Sequence, residues 1–100
     1  MADIRDITEE YNSGTVQPPI FLDGYDSLYR SVQLAPIVAG VGYIQASLST
    51  HQAILDNEGE WVSWPAGSIS SASQDTIDPT VTAIRVYLTS GGLRLDLRLV

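Results

Sequence analysis

The most regular alternation of apolar and polar positions lies at the end of the chain, from Thr80 to Val100. From Leu93 onward four leucines alternate with mostly charged residues, and apolar residues also recur at every second position between Thr80 and Thr89. A period of two places alternate side chains on opposite faces, so each run predicts a strand with one apolar face. Because Ser90-Gly91-Gly92 favours a tight turn, we predict a C-terminal β-hairpin whose leucine face is covered by the rest of the chain.

Shorter runs of the same kind precede this hairpin. The stretch from Gly42 to Thr50 predicts a strand with Ile44, Ala46 and Leu48 on its inner face. We interpret residues 52–55 as a short continuation of this strand.

Three other runs are shorter or less regular. They are Ile20-Phe21-Leu22, the stretch from Ser27 to Leu34, whose apolar side is interrupted by Arg30, and the stretch from Glu60 to Trp64. About six or seven short strands, with turn signals roughly every ten residues, are typical of an all-β fold. We therefore predict that residues 20–100 form a small antiparallel β-sandwich, or a barrel.

Residues 1–19 differ in character from this predicted domain. Acidic and scattered apolar residues lead to Asn12-Ser13-Gly14 and then to Pro18-Pro19, which favours an extended chain. One interpretation is a solvated, partly ordered N-terminus. The other is an extended arm that pairs with a neighbouring copy or a partner, so that deleting residues 1–18 would leave the domain folded. The apolar side chains available for such contacts include Ile4, Ile7 and Tyr11.

The composition is acidic, with twelve Asp and Glu residues against five Arg and no Lys, for a net charge of −7. Such a chain is a poor candidate for binding nucleic acids or anionic membranes, which need clustered cations. No stretch approaches the roughly 18 apolar residues of a membrane span, and the N-terminus lacks the features of a signal peptide. The absence of cysteine excludes disulfides and thiolate metal ligands.

No motif in the sequence indicates an enzyme. His51 is the only histidine, and the glycine-flanked serine of a nucleophile elbow is absent. Asp56, Glu58 and Glu60 have the alternating spacing that begins a calcium loop, but Trp61 stands where that loop requires glycine. We therefore expect no catalytic residue, no cofactor and no metal ion.

Trp61 and Trp64 are three residues apart, so in a strand they lie on opposite faces. One is expected in the core and the other on an outer face, together with Tyr25, Tyr43 or Tyr87. Exposed aromatic side chains of this kind contact a protein partner or stack on sugar rings.

Arg85, Arg94 and Arg98 are three of the five basic residues, and all fall on the predicted outward face of the terminal hairpin. Two interpretations remain open. Either these arginines pair with Asp96 on a solvated face, or they form a docking surface for an acidic partner.

Residues 42–100 contain four stretches in a characteristic order: Tyr43-Ile44-Gln45-Ala46-Ser47-Leu48, then Glu60-Trp61-Val62-Ser63-Trp64-Pro65-Ala66-Gly67, then Val81-Thr82-Ala83-Ile84-Arg85-Val86, then Ser90-Gly91-Gly92 ahead of a closing strand. This part of the chain resembles small β-sandwich structural proteins encoded by tailed bacteriophages. Proteins of that kind are decoration, head or tail components of the virion. The resemblance implies no enzyme activity and no catalytic residues.

The sequence thus suggests a non-enzymatic virion protein, made in the host cytoplasm, that decorates the capsid or is a minor head component. It would attach by its arm and a sheet face to other virion proteins, capsid or tail subunits, and we expect a homo-oligomer. The alternatives are a tail-associated structural protein and a carbohydrate-binding module that uses exposed aromatics. The expected partner-binding residues are Ile4, Ile7, Tyr11, Arg85, Arg94 and Arg98.

Overall fold

The computed structural model describes residues 5–24, 29–64 and 67–100. Within these ranges the chain forms eight strands and one short helix. In chain order they are β1 (Arg5–Tyr11), β2 (Ile20–Phe21), β3 (Arg30–Pro36), β4 (Val41–Ser47), α1 (His51–Leu55), β5 (Val62–Ser63), β6 (Ser73–Thr76), β7 (Ala83–Ser90) and β8 (Leu93–Leu99). No helix of the described ranges is long and apolar enough to cross a membrane.

The strands form two four-stranded sheets, in which every pairing is antiparallel. The first sheet has the order β1-β8-β3-β6 and the second has the order β2-β7-β4-β5. Consecutive strands therefore lie in opposite sheets, except β4 and β5, which are neighbours in the second sheet. This is the strand order of an eight-stranded jelly roll. The prediction of a small all-β sandwich is confirmed, with eight strands in place of six or seven.

The two C-terminal strands do not form the predicted hairpin. β7 pairs with β2 and β4, whereas β8 pairs with β1 and β3 in the opposite sheet. The connection between them is a crossing from one sheet to the other, made through Gly91 with a φ of 66°. The alternation of apolar and polar residues predicted both strands correctly. It does not show whether their apolar faces lie next to each other in one sheet or face each other across the core of two packed sheets.

The core lies between the sheets, and the leucines of β8 form its centre. Leu93, Leu95, Leu97 and Leu99 are all buried, opposite the buried side chains Ile84, Val86 and Leu88 of β7. Strand β8 is flanked by β1 on one side and β3 on the other, so its leucines are enclosed from both sides. This apolar layer contributes most of the burial that stabilises the sandwich.

Residues 5–11 are not an arm that leaves the domain. They form β1, which pairs with β8 along its whole length from Arg5↔Leu99 to Tyr11↔Leu93. The physical reason is that β8 would otherwise expose its backbone groups and the side of its leucine row to water. Beyond β1 the chain crosses to the second sheet, where Leu88 N donates to Thr15 O and Gln17 N donates to Val86 O.

Two local predictions around β4 are also wrong. Residues 51–55 form helix α1, whose N-cap Thr50 accepts a hydrogen bond from Ala53 N, rather than a continued strand. Leu48 is 69% exposed, although Ile44 on the same predicted face is buried. Leu48 lies just beyond the end of β4 at Ser47, so the alternation predicted the direction of its side chain but not whether other residues cover it.

Candidate functional site

The outer face of the second sheet carries an unusual row of aromatic side chains. Ile84, Val86 and Leu88 point into the core, so the intervening residues of β7 point outward. Tyr87 lies opposite Tyr43 of β4, and the two rings stack with centroids 4.8 Å apart and planes 10° apart. Both side chains are half-buried. We call this surface the aromatic face; its members are Phe21, Tyr43, Gln45, His51, Trp61, Arg85 and Tyr87.

Arg85 is held at the middle of the aromatic face by two neighbours. Its Nε donates a 2.7 Å hydrogen bond to Gln45 Oε1, and its Cζ lies 4.2 Å from the centre of the Trp61 ring. Burial lowers the pKa of Arg85 from its usual range, yet a guanidinium stays charged in proteins. The site therefore presents a positive charge in a fixed position between aromatic rings, which is a cation–π arrangement.

A second stacked pair lies at one end of the aromatic face. The rings of Phe21 and His51 stack with centroids 3.8 Å apart, and His51 Nδ1 lies 2.9 Å from a carboxylate oxygen of Asp23. Helix α1 begins at His51, so the Thr50 cap that starts the helix also positions this ring. The histidine is thus part of an aromatic and hydrogen-bonding contact with β2 and the loop that follows it.

These contacts make the aromatic face a rigid, preorganised surface. Each of its stacked rings is held by a neighbouring ring or by the Arg85 guanidinium. Trp, Tyr and Arg are the residue types that dominate the binding energy of protein–protein interfaces, partly because little entropy is lost when they are already fixed. The arrangement is suited to binding a complementary surface.

The structure separates the three arginines that the sequence placed on one surface. Arg85 lies on the aromatic face, whereas Arg94 and Arg98 lie on the outer face of the first sheet. Arg94 Nε is 3.1 Å from Asp96 Oδ2, and Arg98 Nε is 2.8 Å from Asp6 Oδ1. The hydrogen bond from Arg98 lowers the pKa of Asp6. Arg94 therefore pairs with Asp96, as one of the two interpretations held, whereas the partner of Arg98 is Asp6 of β1. Such exposed pairs contribute little to stability.

The predicted partner-binding residues of the N-terminus have different environments. Ile7 is half-buried against the core, and Tyr11 belongs to the core with 8% of its surface exposed. Burial, with a smaller contribution from Glu9, raises the pKa of Tyr11 to about 12. Ile4 lies outside the described residues, as does Tyr25.

The two tryptophans lie on opposite faces, as their spacing predicted. Trp61 contacts Arg85 on the aromatic face, whereas Trp64 packs against the core. Trp64 Nε1 donates a 2.6 Å hydrogen bond to Asp75 Oδ2 of β6, which joins the rims of the two sheets. That bond lowers the pKa of Asp75.

Sequence reasoning named Tyr43 and Tyr87 as possible exposed aromatics but did not assign Phe21, Gln45 or His51 to the same surface. The available signal was the outward position of Gln45 and Tyr43 in the Gly42 to Thr50 run. These residues lie near Arg85 because β4 pairs with β7. The alternation of apolar and polar residues predicts which way a side chain points, but it does not predict which strands pair.

No family model matches the chain, and no curated protein is significantly similar to it. Within the described ranges, no three His, Cys, Asp or Glu side chains come together in a way that could hold a metal ion.

Proposed function

We propose that this chain is a non-enzymatic assembly protein that docks onto a partner protein through the aromatic face. The observation that carries the proposal is the fixed Arg85 guanidinium between Trp61 and the Tyr43–Tyr87 pair. This is the composition of an interface hot spot, and it lies on a sheet face that the rest of the described chain leaves half-exposed.

The setting that we propose is the virion of a tailed bacteriophage, as a capsid decoration or minor head protein. Two considerations support it. The first is the resemblance of residues 42–100 to small phage structural proteins. The second is an analogy at the level of the fold, since jelly rolls are an architecture of viral capsid domains as well as of lectins. Its partners would be capsid subunits and further copies of itself, with a tail location as the alternative.

Carbohydrate binding is the alternative that the same aromatic residues suggest. A sugar platform needs open ring faces, on which pyranose rings stack. Here Tyr43 and Tyr87 cover one face of each other, Phe21 and His51 do the same, and Arg85 covers Trp61. The aromatic face therefore fits a protein surface better than it fits a glycan.

The experiment that tests the proposal measures occupancy in purified particles. Cells that carry the gene with its phage are induced, the particles are purified, and the protein is quantified by mass spectrometry for the wild type and variants. We expect Arg85→Gln and Trp61→Ala to lower occupancy roughly tenfold, because a hot-spot truncation costs above about 1 kcal/mol.

Ser31→Ala and Thr76→Ala, on the outer face of the first sheet, are the matched controls, and thermal unfolding verifies that every variant is folded. Wild-type occupancy of folded Arg85→Gln and Trp61→Ala variants would exclude docking through the aromatic face. Absence of the wild-type protein from particles, together with glycan binding that Trp61→Ala removes, would favour the carbohydrate-binding alternative.

A further inference from the structure

The sandwich is open at one corner, beside the short strand β5. An apolar groove of about 570 Å³ runs between the end of β4, β5 and the loop that precedes β7. Its apolar lining is Ala46, Leu48, Val62 and Val81. Leu48 is 69% exposed and Val62 is 70% exposed, so two large apolar side chains that line the groove face water. Exposed apolar patches that are rimmed by polar residues are a feature of binding grooves.

The backbone of β5 is open along the same corner. Trp64 N donates to Ile44 O, and Ala46 pairs with Val62 in the same register. Hydrogen-bonding direction alternates along an antiparallel strand, so Val62 also turns its N–H and C=O toward β4. Ser63 and Trp61 therefore turn theirs away from β4, toward the edge of the second sheet at which no other described strand pairs. An edge of this type accepts a further strand.

The charge at this corner is negative. Among the described residues, the charged side chains that line the groove are Glu60 and Asp78, and both are exposed. Asp78 is fixed in place by hydrogen bonds from the backbone and hydroxyl of Thr80. An occupant that brings a Lys or Arg beside these carboxylates is favoured over an acidic one.

A second copy of this chain is poorly suited to supply that occupant. The chain has no lysine and five arginines. Arg30 is buried, Arg85 is held by Gln45, and Arg94 and Arg98 are paired with aspartates. The fifth arginine begins β1, a strand that also carries Asp6, Glu9 and Glu10. Charge therefore favours a segment of a different protein.

We propose that the free edge of β5 and the adjoining groove bind an extended segment of a basic partner protein. The segment adds as a strand to the second sheet and hydrogen-bonds to the backbone of Ser63 and Trp61. Its inward side chain is apolar and packs on Leu48 and Val62, and a Lys or Arg lies beside Glu60 and Asp78. The inference does not depend on the virion setting. This corner adjoins the aromatic face at Trp61, but it uses the backbone of Trp61 and not the ring that contacts Arg85.

The test uses two synthetic peptides in which valine alternates with threonine, one with lysine at each end and one with glutamate at each end. Binding to the isotope-labelled protein is followed by amide chemical shifts and hydrogen exchange. We expect the lysine peptide to bind, to shift and protect the amides of Trp61 and Ser63, and to bind at least about tenfold more tightly than the glutamate peptide.

Two variants examine the edge and the groove separately. Ser63→Pro removes an outward N–H without touching the pairing of β4 with β5, and Leu48→Asp places a charge in the groove. Each is expected to weaken the lysine peptide by roughly tenfold, the cost of about one hydrogen bond or one apolar contact. Ser63→Thr keeps the N–H and is the matched control, and thermal unfolding verifies that Leu48→Asp, at an exposed position, remains folded.

Any one of three results would overturn the proposal. The lysine peptide does not bind, both peptides bind equally, or Ser63→Pro and Leu48→Asp leave the binding of the lysine peptide unchanged. Self-association in sedimentation that Leu48→Asp abolishes would also overturn it, because a second copy would then occupy the groove. The particle-occupancy experiment with Trp61→Ala and Arg85→Gln reads the aromatic face, so either proposal can fail without the other.

Discussion

At the scale of single residues, the buried arginine of β3 shows how a charge is accommodated in this small core. Arg30 is 5% exposed, and its guanidinium donates to the carbonyl oxygens of Leu22, Pro79 and Val81 at 3.1–3.2 Å. Those carbonyl groups belong to two loops that are far apart in the sequence, one after β2 and one before β7. The side chain therefore fastens these loops together at one end of the sandwich.

We expect Arg30→Met to lower the free energy of unfolding by about 1–3 kcal/mol, because it leaves carbonyl groups near the core without donors. Urea unfolding followed by tryptophan fluorescence measures the change. Arg94→Met, at an exposed position, is the control and is expected to change stability by less than about 0.5 kcal/mol. Equal effects of the two substitutions would show that Arg30 does not hold the loops.

Tyr11 makes the stability depend on pH in the alkaline range. Burial and then Glu9 raise its pKa to about 12, from 10.0. A raised pKa means that the folded state holds the proton more tightly than the unfolded state. The contribution is therefore complete below the unfolded value and is lost as pH rises toward the folded value.

The expected result is that the free energy of unfolding of the wild type falls more steeply between pH 10 and about 12 than that of Tyr11→Phe. Urea titrations at a series of pH values measure both slopes. Tyr29→Phe, at a 73% exposed position, controls for the other tyrosines and should retain the wild-type slope. A Tyr11→Phe slope equal to that of the wild type would contradict the assignment.

At the scale of elements, β1 changes what a truncation experiment should give. As an arm, residues 1–18 could be removed without loss of stability. As a strand, β1 covers one edge of β8 and places Tyr11 in the core. β1 is an edge strand of the first sheet, and Glu9 lies on its inward side. An inward charge on an edge strand discourages the addition of a further strand.

We therefore expect deletion of residues 1–18 to destabilise the domain by about 3 kcal/mol or more, since it removes a large buried side chain and a row of backbone hydrogen bonds. The melting temperature by circular dichroism measures the loss. Substitution of the exposed Glu10 by Ala leaves the strand in place and serves as the control. An unchanged melting temperature after the deletion would restore the arm interpretation.

The same elements show what a sequence can and cannot predict here. Alternation gave the direction of most side chains correctly, including Arg30 on the inner side of β3 and the four leucines of β8. It did not identify β6, a polar strand whose only large apolar neighbour in sequence is Ile77. It also could not show that Leu48 lacks a cover, because cover depends on how far the opposite sheet extends.

At the scale of the whole molecule, the fold class followed from the spacing of strands and turns, but the strand order did not. A glycine-rich link such as Ser90-Gly91-Gly92 permits both a hairpin and a crossing between sheets, and only the packing of the whole chain selects one. The aromatic face depends on that choice as well, because Arg85 meets Gln45 only when β7 lies beside β4.

The two outer faces of the sandwich have different characters as a result. The face of the first sheet is polar and carries mutually neutralising pairs such as Arg98 with Asp6. The face of the second sheet concentrates aromatic rings around Arg85. If the protein docks through the aromatic face as proposed, its polar first sheet faces solvent. The exposed surface of the docked molecule is then hydrophilic, although the aromatic face is buried against the partner.

The pairing of β1 with β8 also determines when this protein can fold. The first sheet has β8 between β1 and β3, so β1 has no correct neighbour, and β3 has only β6, until β8 has emerged from the ribosome. Folding that waits for contacts so distant in sequence takes on the order of milliseconds to seconds. Until then the apolar sides of β1 and β3 are open to wrong partners, which makes the nascent chain the stage most exposed to aggregation.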